Sequence, residues 1–240
     1  MANVHIVHAH PESRSFCAAM AREATRVRTL RGDDVSFSDH YALDFDPVVR
    51  ASEFVDRSDN DYLVYPLEQR HAREHHALAP DVQRELDALL ISDTLILVFP
   101  LYWFSVPALI KGWFDRCFMP GALYGGKRLY DRGGMTGKRA AVGITLGGRE
   151  HMFGPQGIHG DLAGGMLRHL LQGTLGYVGY QVIEPFFAWH VPYCSDAERA
   201  RMLAQWCVLV ETLNEQPHIP MPRLGDYDEV LRPLSRPLMP

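Results

Sequence analysis

Thr94-Leu-Ile-Leu-Val-Phe99 runs directly into Pro100-Leu-Tyr-Trp-Phe-Ser-Val-Pro107. The first segment is apolar or β-branched throughout, as a strand covered on both faces must be. The second breaks the strand at Pro100 and sets Tyr102, Trp103 and Phe104 in a row at its end. Rings placed there want a partner, and a flat hydrophobic ligand is one good explanation; packing on a neighbouring helix is the other. A strand buried on both faces needs helices above and below it. Helical patterns flank this one on each side: Pro80 opens a helix through Val82, Leu86, Leu89 and Leu90, and residues 106–118 carry the next.

The same alternation extends outward. Residues 4–8 form a short apolar run suited to a strand. Residues 15–30 show helical spacing (Phe16, Met20, Ala24, Val27), stopped by Gly32. A weaker strand follows at 35–38. Downstream, strands are expected at 139–145 and 180–187, with helices at 162–175 and 195–213. Five strands separated by helices imply right-handed crossovers, hence an α/β fold with a doubly wound five-stranded parallel sheet and helices on both faces. Residues 40–79 read as a long turn-rich insertion. The stretch from Pro217 holds six prolines, so residues 216–240 are expected to form an extended arm outside the sheet, with 1–215 as one catalytic domain.

Composition narrows the function. The 240 residues are 47% hydrophobic and 22% charged with a formal charge of −5, which offers no electrostatic footprint for nucleic acid or anionic lipid. The start lacks a secretory signal pattern, and the window Thr94 to Phe104 is far shorter than the roughly 20 residues of a membrane helix. No membrane insertion is expected. Four scattered cysteines (Cys17, Cys117, Cys194, Cys207) suit buried thiols in a reducing compartment, and the chain reads as cytoplasmic.

In an open α/β sheet, ligands bind beyond the carboxyl ends of the strands. The loop after the first strand, His8-Ala-His-Pro-Glu-Ser-Arg-Ser-Phe-Cys17, has neither G-x-G-x-x-G nor G-x4-G-K-[ST], which argues against a Rossmann site or a P-loop. It does run into a helix N-terminus with Ser13 and Ser15. That end can take a phosphate, although Ser15 alone can be a simple N-cap. The loop after the fourth strand begins Gly147-Gly148, baring backbone where a planar ring could lie close, or else making a tight turn. A phosphate cup, an aromatic wall and a glycine floor at one sheet edge together describe a flavin site. Among the histidines, His71, His75 and His76 offer an i, i+4 pair, but no second ligand cluster follows and no metal is expected. His5 and His8 read as structural. No G-x-S-x-G is present for hydrolysis. Arg149, Glu150 and His151 could meet a nicotinamide dinucleotide.

These loops carry a family resemblance. A-H-P-E-S-x-S-F, D-x-Y-A-x-x-F-x-P (residues 39–47), F-P-L-x-W-F-x-V-P-A-x-x-K-G-W-F-x-R (99–116), Tyr130-Asp131, T-x-G-G (145–148), Q-G-I-H-G-D (156–161) and Glu184-Pro185 occur in order. The sequence over roughly 4–215 resembles the NAD(P)H:quinone oxidoreductase family, also called DT-diaphorase. The resemblance implies a flavodoxin-like fold, FAD rather than FMN, NAD(P)H as co-substrate, a quinone acceptor, a ping-pong two-electron reaction and a homodimer with its site at the subunit boundary. The arm is then expected to wrap the partner. Position by position it implies that His10, Ser15, Phe16 and Cys17 hold the pyrophosphate and ribityl portion. Cys17 stands where the family often has Asn. Pro100, Leu101, Tyr102, Trp103 and Phe104 would line the ring and ribityl chain. Thr145, Leu146, Gly147 and Gly148 would meet the ring edge, and Val191 and Arg199 the adenine half. Tyr124 and Met152 would face the substrate, as would Trp103, Phe104 and His159. In the family a Tyr and a His stabilise charge on the reduced flavin; here His159 is kept and Phe153 replaces the Tyr, so flavin reduction is expected to be slower than in Tyr-bearing relatives. Related readings are a flavin-binding regulatory subunit of a potassium-efflux transporter, a flavodoxin-type electron carrier, and azo or nitro reduction on the same scaffold.

Overall fold

The computed structural model describes residues 1–234. The strands β1 (Asn3–His8), β2 (Asp34–Asp39), β3 (Thr94–Pro100), β4 (Arg139–Thr145), β5 (Gln181–Val182) and β6 (Phe186–Ala188) form one parallel sheet. Its order is β2-β1-β3-β4-β5, with β6 also pairing to β4, the order of flavodoxin-like sheets. Alternate residues of the central strands feed two cores. Leu95, Leu97 and Phe99 point to α3 (Pro80–Ile91) and α4 (Ala108–Cys117), while Ile96 and Val98 point to α1 (Phe16–Leu30) and α6 (Asp196–Glu211). Period-two alternation on a strand apolar at nearly every position is what lets β3 sit buried between two helical layers.

Four expectations need correction. First, the insertion 40–79 holds a helix, α2 (Tyr65–Glu74). Its buried face is Glu68, Gln69 and Ala72, so it shows no apolar stripe. Hydrogen bonds hold it instead: Glu68 accepts from Ser58 and Asp59, and Gln69 donates to the carbonyls of Asp115 and Arg116. Second, the fifth strand is split. Pro185 has no N–H for the ladder, and the register against β4 slips by one residue between Gln181 and Phe186, a bulge. Third, residues 162–176 are not one α-helix. Two wide-turned π-helical pieces, Leu162–Met166 and Leu171–Gly176, flank a short α5 (Arg168–Leu170). Gly164, Gly165 and Gly173 weaken the regular helix here, while Leu162, Leu167, Leu170, Leu171 and Leu175 still bury.

Fourth, the arm does not stay clear of the sheet. His218 bridges Ile183 antiparallel, and Ile219 N–H donates to Val182 at 2.7 Å. The edge strand β5 has backbone groups to satisfy, and the two pairing residues lie between Pro217 and Pro220, so both keep an N–H. Leu224 then buries and donates its N–H to Asp131 (2.9 Å). From His218 to Leu224 the arm thus engages its own chain. Residues 235–240 of the expected arm lie outside the described residues.

The core histidines behave as the sequence suggests. His8 Nδ1 donates to the Val98 carbonyl (3.0 Å), and burial lowers its pKa. His5 shares a buried cluster with His40, Ser38 and Trp113 around the Glu85 carboxylate. The His71 and His75 rings lie tilted with centroids 4.1 Å apart, and His75 Nδ1 is bonded to the His71 carbonyl.

Candidate active site

Three loops converge beyond the carboxyl ends of β1, β3 and β4. In the first, Ser15 caps α1, its Oγ accepting the Ala18 N–H at 3.1 Å. The cap accounts for one orphan donor. The N–H groups of Phe16 and Cys17, in the first turn of a 15-residue helix, have no partner among the described residues. His10 Nδ1 accepts the Glu12 N–H (3.0 Å), which puts the ring proton on Nε2. Burial lowers the His10 pKa, so the ring is a neutral donor. The Cys17 thiol is buried and pushed up to about 12, so it stays protonated and inert.

In the second loop, Leu101 N–H bonds the Thr145 carbonyl (2.8 Å), tying the ends of β3 and β4 together. Tyr102 and Ser105 then exchange two backbone bonds of 3.1 and 3.0 Å across a tight turn. Trp103 and Phe104 sit at its tip with φ of 51° and 58°. Left-handed backbone costs an ordinary residue roughly 1–2 kcal/mol. The turn is anchored where Ser105 Oγ meets His169 Nε2 (3.1 Å), while His169 Nδ1 bonds the Met166 carbonyl (2.9 Å). Trp103 is 94% exposed, whereas Phe104 packs beside His159 (5.2 Å) and edge-on to Phe153 (6.3 Å).

The third loop separates the two glycines. A Cβ on Gly147 would meet nothing within 4 Å; on Gly148 it would come within 2.8 Å of the Phe153 ring. Gly148 is therefore explained by packing inside the chain, and Gly147 is not. Beyond them the loop closes on itself: His159 N–H bonds the Met152 carbonyl (2.9 Å) and Gly154 N–H the Gly160 carbonyl (2.8 Å). Phe153 lies 5.1 Å from His159 and 5.3 Å from Trp189. Met152 Sδ turns back to accept the Arg149 N–H.

Most of the expected cofactor residues line one cleft of about 200 Å³: His10, Ser15, Phe16 and Cys17; Pro100, Leu101 and Tyr102; Thr145, Leu146 and Gly147; and Val191, with Pro192 added. Trp103, Phe104, Gly148, Phe153 and His159 adjoin it without lining it. Arg199 acts from α6, its Nη2 donating to the Val191 carbonyl (3.0 Å). Tyr124 is not brought here. It packs on Tyr177 (5.6 Å) and faces a separate hollow beside Phe114 and Phe118. Sequence reasoning missed His190, which donates from its N–H to Gly148 and from Nδ1 to Gly147 (both 2.9 Å), and no pattern around Trp189-His190-Val191 marks it. Another hollow, of about 400 Å³, lies beneath the arm between Tyr130, Tyr180 and His218, away from the strand-end loops.

A helix end with unpaired donors, a bare glycine facing open space and a flanking run of rings suit a planar ligand that carries phosphate. The chain matches the flavodoxin-like fold family over residues 2–210. It is 36% identical over 209 residues to NAD(P)H dehydrogenase [quinone] 1 of Cavia porcellus, covering 87% of this chain and 76% of that one. Ribosyldihydronicotinamide dehydrogenase [quinone] of Homo sapiens is 33% identical over 218 residues, covering 90% and 94%. A crystal structure of a Klebsiella pneumoniae protein described as a quinone reductase superposes with a TM-score of 0.91 at 30% identity, covering 100% of this chain and 97% of that one. The fold and the strand-end cleft thus define a flavodoxin-like α/β protein, and the chain belongs to the NAD(P)H:quinone oxidoreductase family.

Proposed function

We propose that this chain is an FAD-dependent oxidoreductase that passes hydride from NAD(P)H to a quinone. The observation that carries the reading is the open space over Gly147, set between the unpaired N–H groups of α1 and the turn that bears Tyr102, Trp103 and Phe104. The chemistry FAD would supply there is two-electron carriage, hydride in from NAD(P)H and hydride out to the acceptor in separate half-reactions.

The chain's own residues have distinct tasks. His10 Nε2–H, the Ser15 hydroxyl and the N–H groups of Phe16 and Cys17 would hold the pyrophosphate, favoured by the positive end of α1. Pro100, Leu101, Tyr102, Thr145 and Leu146 flank the ring, and bare Gly147 lets it approach backbone. Arg199 fixes Val191 at the adenine half. His159 would supply a proton donor for the ring's polar edge, where reduction of a bound flavin places negative charge. Phe153, lacking a hydroxyl, contributes only packing. Trp103, Phe104 and Met152 border the place where donor and acceptor stack in turn.

The enclosed volume bears on assembly. Ligand pockets commonly run to roughly 300–1,000 Å³, and one chain closes only about 200 Å³ at this site. A homodimer would complete the walls, and Tyr124, absent from the chain's own cleft, would reach the substrate from the partner. No described helix is long and apolar enough to cross a membrane.

Anaerobic titration of the flavin-loaded protein with NADH, NADPH and ribosyldihydronicotinamide tests the donor half. Mixing with a quinone, an azo dye and a nitroarene then tests the acceptor half. The expected result is bleaching by a nicotinamide donor and fast recovery with the quinone. A flavin that none of the donors bleaches would overturn the enzymatic reading in favour of a carrier or regulatory flavoprotein.

A further inference from the structure

We propose that His190 is a positioning residue: its ring sets the direction of the Gly148 N–H, beside the Gly147 N–H that Val191 directs, so that two successive backbone donors are fixed at the edge of the cleft. The inference rests on the flavin reading above and adds a residue to its machinery.

In a trans peptide the C=O of one residue and the N–H of the next point in opposite directions. The Leu146 carbonyl accepts from Val191 N–H at 3.0 Å, so the Gly147 N–H points away from the segment after β6. The Gly147 carbonyl accepts from His190 Nδ1 at 2.9 Å, so the Gly148 N–H points away as well. The Gly148 carbonyl accepts from the His190 N–H, also at 2.9 Å, which fixes the next peptide. Two successive N–H groups, with no partner among the described residues, are thereby turned from β6 toward the side where β3 and its ring-bearing turn lie, the first by Val191 and the second by His190. A pair of fixed donors there suits a carbonyl or anionic edge of a planar ligand, and fixed donors need no reorganisation when charge builds.

His190 itself is the unusual part. It has φ 57°, a left-handed backbone that glycine or asparagine adopts more readily. Its ring is not buried in either core; what the conformation achieves is two simultaneous bonds from one residue to consecutive carbonyls. Strain held at a ligand-facing turn is the kind of outlier from which a functional role is properly inferred. The hydrogen bond to Gly147 needs only a donor at the Nδ1 position, which an asparagine amide can supply.

His190→Gly and His190→Asn separate positioning from folding. Glycine relieves the backbone and removes the side-chain donor, whereas asparagine keeps both the donor and the left-handed preference. His190→Gly is expected to melt no lower than wild type, to bind FAD about tenfold more weakly, and to prefer reduced flavin about tenfold less. That last loss is a fall of about 30 mV in two-electron potential. Dye equilibration reads the potential and fluorescence titration the affinity. His190→Asn is expected to restore both to within about threefold. The proposal is overturned if His190→Gly matches wild type in affinity and potential, or if His190→Asn does no better than His190→Gly. Wild type that binds no flavin would overturn the underlying reading too, and that outcome is distinct because all three proteins would then be colourless.

Discussion

Gly147 is where a ligand cleft can be told from a packing defect. Its φ lies outside the left-handed region, and a Cβ there meets nothing within 4 Å. Gly147→Ala should therefore leave the flavin-free fold intact, or stabilise it by about 0.4–1 kcal/mol through the unfolded chain. In a domain of this size that is a rise of about 1–4 °C in Tm. With flavin the sign reverses. The methyl enters the space the ring is held to occupy, and overpacking there costs about 1–3 kcal/mol, or roughly 5- to 150-fold in Kd. Gly147→Val should be worse. Gly148→Ala is the internal control: its Cβ lands 2.8 Å from the Phe153 ring, so it should lower stability even without ligand. Melting curves of the flavin-free proteins, paired with fluorescence titrations of FAD, give both numbers. FAD binding unchanged in Gly147→Val, or a Gly147→Ala protein that melts well below wild type, would refute the reasoning.

Further outcomes follow from other parts of the structure. Phe153→Tyr adds a hydroxyl to a ring 5.1 Å from His159; a bond to charge of about 1.5–3 kcal/mol should speed flavin reduction roughly ten- to a hundredfold in stopped flow, and an unchanged rate contradicts the role given to that position. Glu85 is buried, which by itself would raise its pKa, but the hydrogen bond from His40 and the neighbouring His5 ring outweigh burial and hold the carboxyl below its ordinary 4.5. Its contribution to stability is therefore complete above that value and lost as pH falls toward the folded one, so Glu85→Gln should flatten the acid limb of a Tm–pH profile; a limb as steep as wild type disproves it. Glu85→Ala, which orphans the Trp113 N–H and the Ser38 hydroxyl, should cost about 3–5 kcal/mol by urea denaturation. Cys17, with its thiol pushed up to about 12, should resist a disulfide reagent at pH 8 in the native protein, and early labelling there by peptide mass would contradict its burial.

The sequence displayed the fold where apolar patterning carried the information. The β3 run 94–99 and the helical spacing in α1, α3 and α4 reflect burial on fixed faces, so periodicity alone placed them. It failed where burial is polar or geometry is broken. The buried face of α2 is held by Glu68 and Gln69 hydrogen bonds that no hydrophobic count registers. The slip at Pro185 and the wide turns of 162–176 are backbone events set by one proline and three glycines. The cleft was legible because its residues fall at predictable strand ends: His10, Leu101 and Thr145 line it together. His190 was not, since its part depends on a left-handed φ and on carbonyls 42 and 43 positions earlier. Tyr124 shows the limit of one chain, because its face is on a different hollow.

The most direct test is an equilibrium titration of flavin-free protein with FAD and with FMN, followed by spectral and mass analysis of what stays bound. One FAD per chain, retained through gel filtration and displaced by the Gly147→Val change, is the predicted result. Protein that elutes colourless from a saturating mixture with either flavin would contradict the account at its root.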